Sequence, residues 1–174
     1  YFSEQDVQIQ TSLAAQTAVA LQNARQYEQT QQALADTAMF RQLADASSQG
    51  VSITTLQGEP LYSNQTLAEI LRIENIDEVV LAKTLVDFYP AEVQIRFQEE
   101  IIPTLLEQGT WQGELWLGEP DQPTITYENH FLLRDDAGNP THVAAIISDI
   151  TERKQVEESI RENQALLRSI IDAT

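Results

Sequence analysis

The sequence predicts an α+β fold, a five-stranded antiparallel sheet with helices on one face, flanked by long N- and C-terminal helices. Three observations predict it. Residues from about 4 to 48 contain no Gly or Pro and are rich in Ala, Gln and Leu, which favour helix. Between residues 51 and 150, apolar or alternating β-branched stretches follow one another as two strands, several helices, then three strands. From Thr151 onward a charged segment with helical apolar period runs to the last residue.

Each element has a local reason. After the break at Ser47-Ser48-Gln49-Gly50, Val51–Leu56 alternates and is β-branched, so it reads as a strand. Gln57-Gly58-Glu59-Pro60 is turn chemistry, and Leu61-Tyr62-Ser63 returns as a short second strand. Ser63 or Asn64 can cap a helix from Thr66 to about Arg72 by accepting an orphan backbone N–H. Short helical turns are expected around Leu85–Tyr89 and a helix over Ala91–Glu107, kinked or restarted at Pro103 because proline removes a backbone bond. Gly109 ends that helix. The remaining strands are Trp111–Leu117, Thr124–Leu133 and His142–Ile150, the last two joined through the turn Asp135-Asp136-Ala137-Gly138-Asn139-Pro140.

Composition narrows the function. The 174 residues carry a formal charge of −17, and residues 49–150 hold seventeen Asp/Glu against four Lys/Arg. Such a surface repels nucleic acid and anionic membranes, and no apolar run is long enough to span a bilayer. There is no Cys, which excludes disulfides, thiolate metal sites and cysteine nucleophiles within this chain. The chain opens without Met or a signal peptide, which suits a cytoplasmic protein and a piece of a longer one.

Two segments carry heptad spacing. In the first helix Leu13, Ala20, Tyr27 and Leu34 fall seven apart. In the last, Val156, Ile160, Asn163, Leu167 and Ile170 step four, three, four, three, with Asn163 as a polar register setter. Both are expected to form dimer seams; the bland alternative for the first is an amphipathic helix packed on its own domain. The last strand enters the last helix through Ser148-Asp149-Ile150-Thr151-Glu152-Arg153-Lys154 with no Gly or Pro between, giving strain in the sheet a short, stiff path outward.

That junction resembles the closing motif of PAS domains, the sensory modules of histidine kinases and cyclic-dinucleotide enzymes. Phe40–Val51, Tyr62-Ser63-Asn64-Gln65, the Trp-x-Gly-Glu of Trp111–Glu114 and Arg134–Gly138 resemble other PAS segments in the same order, while Glu119-Pro120-Asp121-Gln122-Pro123 departs from the compact turn usual there. Leu13–Tyr27 resembles the terminal helix of GAF domains. Phe40–Ser47 resembles Leu167–Thr174, offset by 127 residues, as if a second copy of the module began there. These likenesses divide the chain into a signalling helix (1–36), a PAS domain (37–151) and a coiled-coil linker (152–174). They imply a homodimeric relay between GAF, PAS and output domains of one chain, in which Asp149, Ile150, Thr151, Arg153 and Lys154 couple strand to helix. Thr151 would act as N-cap, and Arg153 or Lys154 would pair with a carboxylate such as Asp149.

No catalytic signature is present: no Gly-x-Ser-x-Gly elbow, no phosphate loop, no Ca²⁺ loop. This chain is therefore expected to be non-enzymatic, whatever the parent protein does. No cofactor is expected. The flavin and cysteine-linked chromophores of PAS sensors need a Cys, and the long helix that supplies haem ligands in the family has no His. His130 is the only other haem candidate, against the plainer readings of a solvent-facing or core hydrogen-bonded strand residue. A small-molecule pocket between sheet and helices is the alternative to a pure relay, with Phe88, Tyr89, Phe97, Ile101, Leu115, Phe131 and Ile146 as its lining; an acid ligand there would need Arg72, Lys83, Arg96 or Arg134.

Overall fold

The computed structural model describes residues 4–73, 84–118 and 122–172, with side chains from 16 to 168. The chain forms two compact units, Tyr1–Leu43 and Ala44–Thr174. The first is the bulk of α1 (Glu4–Asp45), whose apolar residues are scattered round its circumference rather than gathered on one face. Ala20, Tyr27 and Leu34 are exposed on it, and Leu13 lies outside the described side chains.

The second unit is a five-stranded antiparallel sheet in the order β2-β1-β5-β4-β3. The strands are β1 (Gly50–Thr55), β2 (Pro60–Ser63), β3 (Thr110–Leu117), β4 (Thr124–Arg134) and β5 (Pro140–Asp149). Between β2 and β3 come α2 (Gln65–Ile70), a 3-10 turn (Leu85–Phe88), α3 (Ala91–Arg96), a π turn (Phe97–Ile101) and α4 (Ile102–Gln108); α5 (Thr151–Asp172) follows β5. The connection 119–121, where the sequence departs from the usual turn, lies outside the described residues.

The helical layer covers one sheet face. Leu67, Val93, Phe97, Ile101 and Leu105 from the helices are buried, as are Trp111, Leu115, Leu117, Ala145 and Ile147 from the sheet. The interruption expected at Pro103 takes a specific form. Ile102 donates its N–H to Phe97 O, a π-type bond, and Pro103 then sits in the first turn of α4, where a missing N–H costs nothing. Gly109 closes α4 at φ +81, donating to Leu105 O.

Asn64 holds the start of the sheet to its first helix. Fully buried, its Oδ1 accepts from Val51 N–H (2.8 Å) and Leu67 N–H (3.1 Å). Its Nδ2 donates to Ala44 O (2.7 Å) and Gln49 O (2.9 Å). One side chain thus caps α2 and satisfies backbone groups on β1 and on the segment ahead of it. Asn64→Ala would remove the side-chain partner of two buried backbone groups, Ala44 O and Leu67 N–H, and of two part-buried ones, Gln49 O and Val51 N–H, and is expected to cost about 2–3 kcal/mol in urea denaturation, above the ~1 kcal/mol of a simple cap. Asn64→Asp keeps the accepting half but sets a carboxylate oxygen against the Ala44 and Gln49 carbonyls in the interior, and is expected to cost at least as much as Asn64→Ala.

Candidate functional site

The inner sheet face is set by β4. Thr124, Thr126, Glu128 and His130 point inward and are buried, while Tyr127 between them is exposed. The register places His130 beside Ala145 and Glu128 beside Ile147 and Gly113. The polar residues of the strand therefore face the core.

Glu128 has no exposed surface. Tyr89 OH donates to its two oxygens at 2.9 and 3.0 Å, Thr126 Oγ1 donates at 2.7 Å, and His130 Nε2 lies 2.8 Å from Oε2. Three partners on one carboxylate suit its ionised, acceptor-only form, in which His130 carries the donating proton on Nε2. Around this polar centre, rings close ranks edge to face: Tyr89 with Phe97 at 5.0 Å, His130 with Phe97 and with Trp111 at 5.7 Å each. Burial, then the charge and hydrogen bond of Glu128, push the Tyr89 phenol well above its ordinary value.

The Trp-x-Gly pattern gains a reason here. Trp111 lays its indole over Gly113, where an added Cβ would come within 2.8 Å of the ring. The indole N–H donates to Glu100 Oε1 (3.1 Å), and Arg96 pairs with Glu100 (2.6 Å) and donates to Glu114 O (2.9 Å). Arg96, hydrogen-bonded first of all, holds the Glu100 carboxyl below its usual range.

Beside this cluster lies a cavity of about 120 Å³ between the helices and strands β1 and β5. Tyr89, Phe97 and Ile101 line it, with Ser52, Thr54, Val86, Leu105 and His130. Phe88 and Leu115 instead line a separate open groove of about 1010 Å³, which Tyr89 also borders. Phe131 and Ile146 do not belong to the lining. Phe131 pairs with Ala144 and Ile146 with Asn129 and Val51, one residue out of phase with the inward rows, so both face the opposite side of the sheet. Among the described residues no Lys or Arg lines the cavity. Arg96 and Arg134 are committed elsewhere, Arg134 to Gly138 O at 2.9 Å; Arg72 borders an outer pocket, and Lys83 lies outside the described residues. Glu128, Thr126, Ser52 and Thr54 carried no motif; only their alternation along strands could have marked them.

At the junction, the bonds differ from those expected. Asp149 Oδ1 accepts from Thr151 N–H (2.8 Å) and supplies the cap. Thr151 is already helical, and its hydroxyl accepts from Ile125 N–H (2.8 Å) on β4. Ile150 N–H donates to Ile125 O (2.8 Å) and the Ile150 side chain is buried. The basic pair does not turn back to Asp149: Lys154 reaches Glu114 of β3 (2.7 Å), and Arg153 lies along α5 at 3.7 Å from Glu157. Among the described residues no group of His, Asp or Glu is placed to hold a metal ion, and no helix is long and apolar enough to cross a membrane.

The sequence profile of the PAS fold matches residues 44–155, well over half of the chain. This chain belongs to the PAS fold family. Among solved structures it is similar to a PAS domain from Colwellia psychrerythraea, with 15% identity and a TM-score of 0.59 over 67% of this chain and 98% of that one. The PAS domain of Bordetella pertussis BvgS gives 15% and 0.54 over 75% and 97%. A sensory box histidine kinase/response regulator from Burkholderia thailandensis gives 18% and 0.54 over 75% and 98%. At these identities the likeness establishes the fold. No curated protein matches the chain.

The buried phenol makes a prediction. Tyr89→Phe removes one donor to a buried carboxylate and is expected to cost about 1–3 kcal/mol in urea denaturation. Because folding raises the Tyr89 pKa, its contribution is complete below the ordinary tyrosine value of about 10 and declines as pH rises from there toward the folded value. Tyrosinate absorbance at alkaline pH should show one late-titrating group in the wild type that is absent from the variant.

Proposed function

We propose that this PAS domain is a non-catalytic sensory relay of a signal-transduction protein, acting through a homodimer whose flanking helices carry the change. The observation that carries this reading is the junction. Ile125 of β4 receives both Ile150 and Thr151, Lys154 reaches β3, and α5 starts without a flexible residue. A displacement of the sheet edge therefore has three short connections into the first turn of α5. Packed interfaces tend to switch between arrangements rather than flex smoothly, which gives such a displacement a discrete outcome.

Helix α5 is built to meet a partner. Val156 and Ile160 are each 52% exposed and Leu167 is 60% exposed, on one stripe, with exposed Asn163 between them. Ile170, the last member of the stripe, lies outside the described side chains. A second copy of the same helix in parallel register would cover this seam and leave Asn163 facing its equivalent. The PAS neighbours from sensor kinases support the signalling setting. On this reading the GAF-like helix ahead and the repeated segment at Leu167–Thr174 are the joints to adjoining modules, and the protein works in the cytoplasm. Analytical ultracentrifugation is expected to find a dimer that Ile160→Glu converts to monomer with the PAS fold intact by circular dichroism. A monomeric wild type at high micromolar concentration would remove the basis of the relay.

A second reading is favoured by the cavity beside His130: the domain also senses a small molecule held between sheet and helices.

A further inference from the structure

We propose that the cavity takes an uncharged organic molecule of roughly four to six heavy atoms with a single hydroxyl or carbonyl head, seated against Ser52 and Thr54; this rests on the ligand-sensing reading of the site.

Size comes first. At about 120 Å³ the cavity is smaller than the ~300–1,000 Å³ of drug-sized ligand sites and close to the ~150 Å³ cavity that holds benzene. A haem or flavin is several times too large for it. Chemistry follows from the walls. Leu85, Val86, Ile101 and Leu105 give the helical side an apolar lining, which suits an alkyl body. On the sheet side Ser52 and Thr54, 2% and 7% exposed as residues, line the cavity. Among the described residues neither hydroxyl is engaged in a hydrogen bond within the protein, so each is free to bond a ligand. They stand two residues apart on the inward face of β1, placed to bind one small polar head.

Charge decides the class. Among the described residues, no Lys, Arg, Asp or Glu lines the cavity. Its two ionisable neighbours, Tyr89 and His130, are both turned to Glu128. An anion entering would find no cation to meet it and would lie near a buried carboxylate. A cation would have to leave water for walls whose polar groups are hydroxyls, the Gln57 amide and rings, with no carboxylate among them. Either ion is disfavoured by desolvation, and a neutral molecule is not.

The test uses three probes of one shape and different charge, 1-butanol, butyrate and butylammonium, titrated into the full chain and followed by methyl NMR. The expected result is saturable shifts of the Thr54, Ile101 and Ala145 methyl signals with 1-butanol, at an affinity about tenfold or more above either ion. The isosteric pair Ser52→Ala with Thr54→Val should weaken 1-butanol about tenfold while leaving the remaining spectrum in place. Ala145→Val, which narrows the cavity, should abolish the shifts, and a wild-type-like spectrum outside the cavity verifies its fold. Tighter binding of either ion, or no saturable shift with any probe, would overturn the proposal. Neither outcome changes the sedimentation of the dimer, so the relay is judged separately.

Discussion

A carboxylate with no access to water sits at the centre of this domain, and three other side chains must be in place to keep it there. Moving such a charge out of water costs several kcal/mol, offset only when geometry is good and its lone pairs are met. Thr126 and His130 come from the same strand as Glu128; Tyr89 comes from the loop ahead of α3. The helical layer cannot slide over the sheet without withdrawing the phenol. A core of apolar side chains alone would set no such register, because dispersion contacts are non-directional and tolerate small shifts.

The same strand also receives the exit helix. Ile125 lies three residues before Glu128, and its N–H and C=O both engage the Ile150–Thr151 junction. The buried cluster, the cavity wall formed by His130 and the anchor of α5 therefore share one rigid segment, hydrogen-bonded on both sides by β3 and β5. In the proposed relay the cluster would provide alignment, the junction transmission, and the exposed stripe of α5 the place where a partner would register the change.

Much of this fold was legible in local chemistry. The β-branched alternation of β1, the turn at Gly58–Pro60, the stop at Gly109 and the disruption at Pro103 all act through a few neighbouring residues, so sequence alone locates them. The facing of β4 was not. Thr126, Glu128 and His130 alternate with Ile125, Tyr127 and Phe131, and the usual rule turns the second set inward. Here the polar set is inward because Tyr89 arrives from 39 residues away to complete the bonding of Glu128. In β5, Val143–Ile147 is apolar on both faces, so it carries no phase with which to reject Ile146 as a lining residue. At the junction the bonds are not the ones that the residue types alone would assign. Asp and Thr two apart can each cap a helix, and only the position of Ile125 decides that Asp149 caps and Thr151 ties across.

Native-state hydrogen exchange on Glu128→Gln tests the central claim most directly. Glutamine keeps the size but removes the charge and one acceptor. If the cluster and the junction act through one segment, protection must fall together at the β4 amides near residue 128 and at the first-turn amides of α5, Lys154 and Gln155, while β2 keeps its wild-type rates. Loss of protection confined to β4, with the first turn of α5 unchanged, would contradict the mechanical continuity on which the account depends.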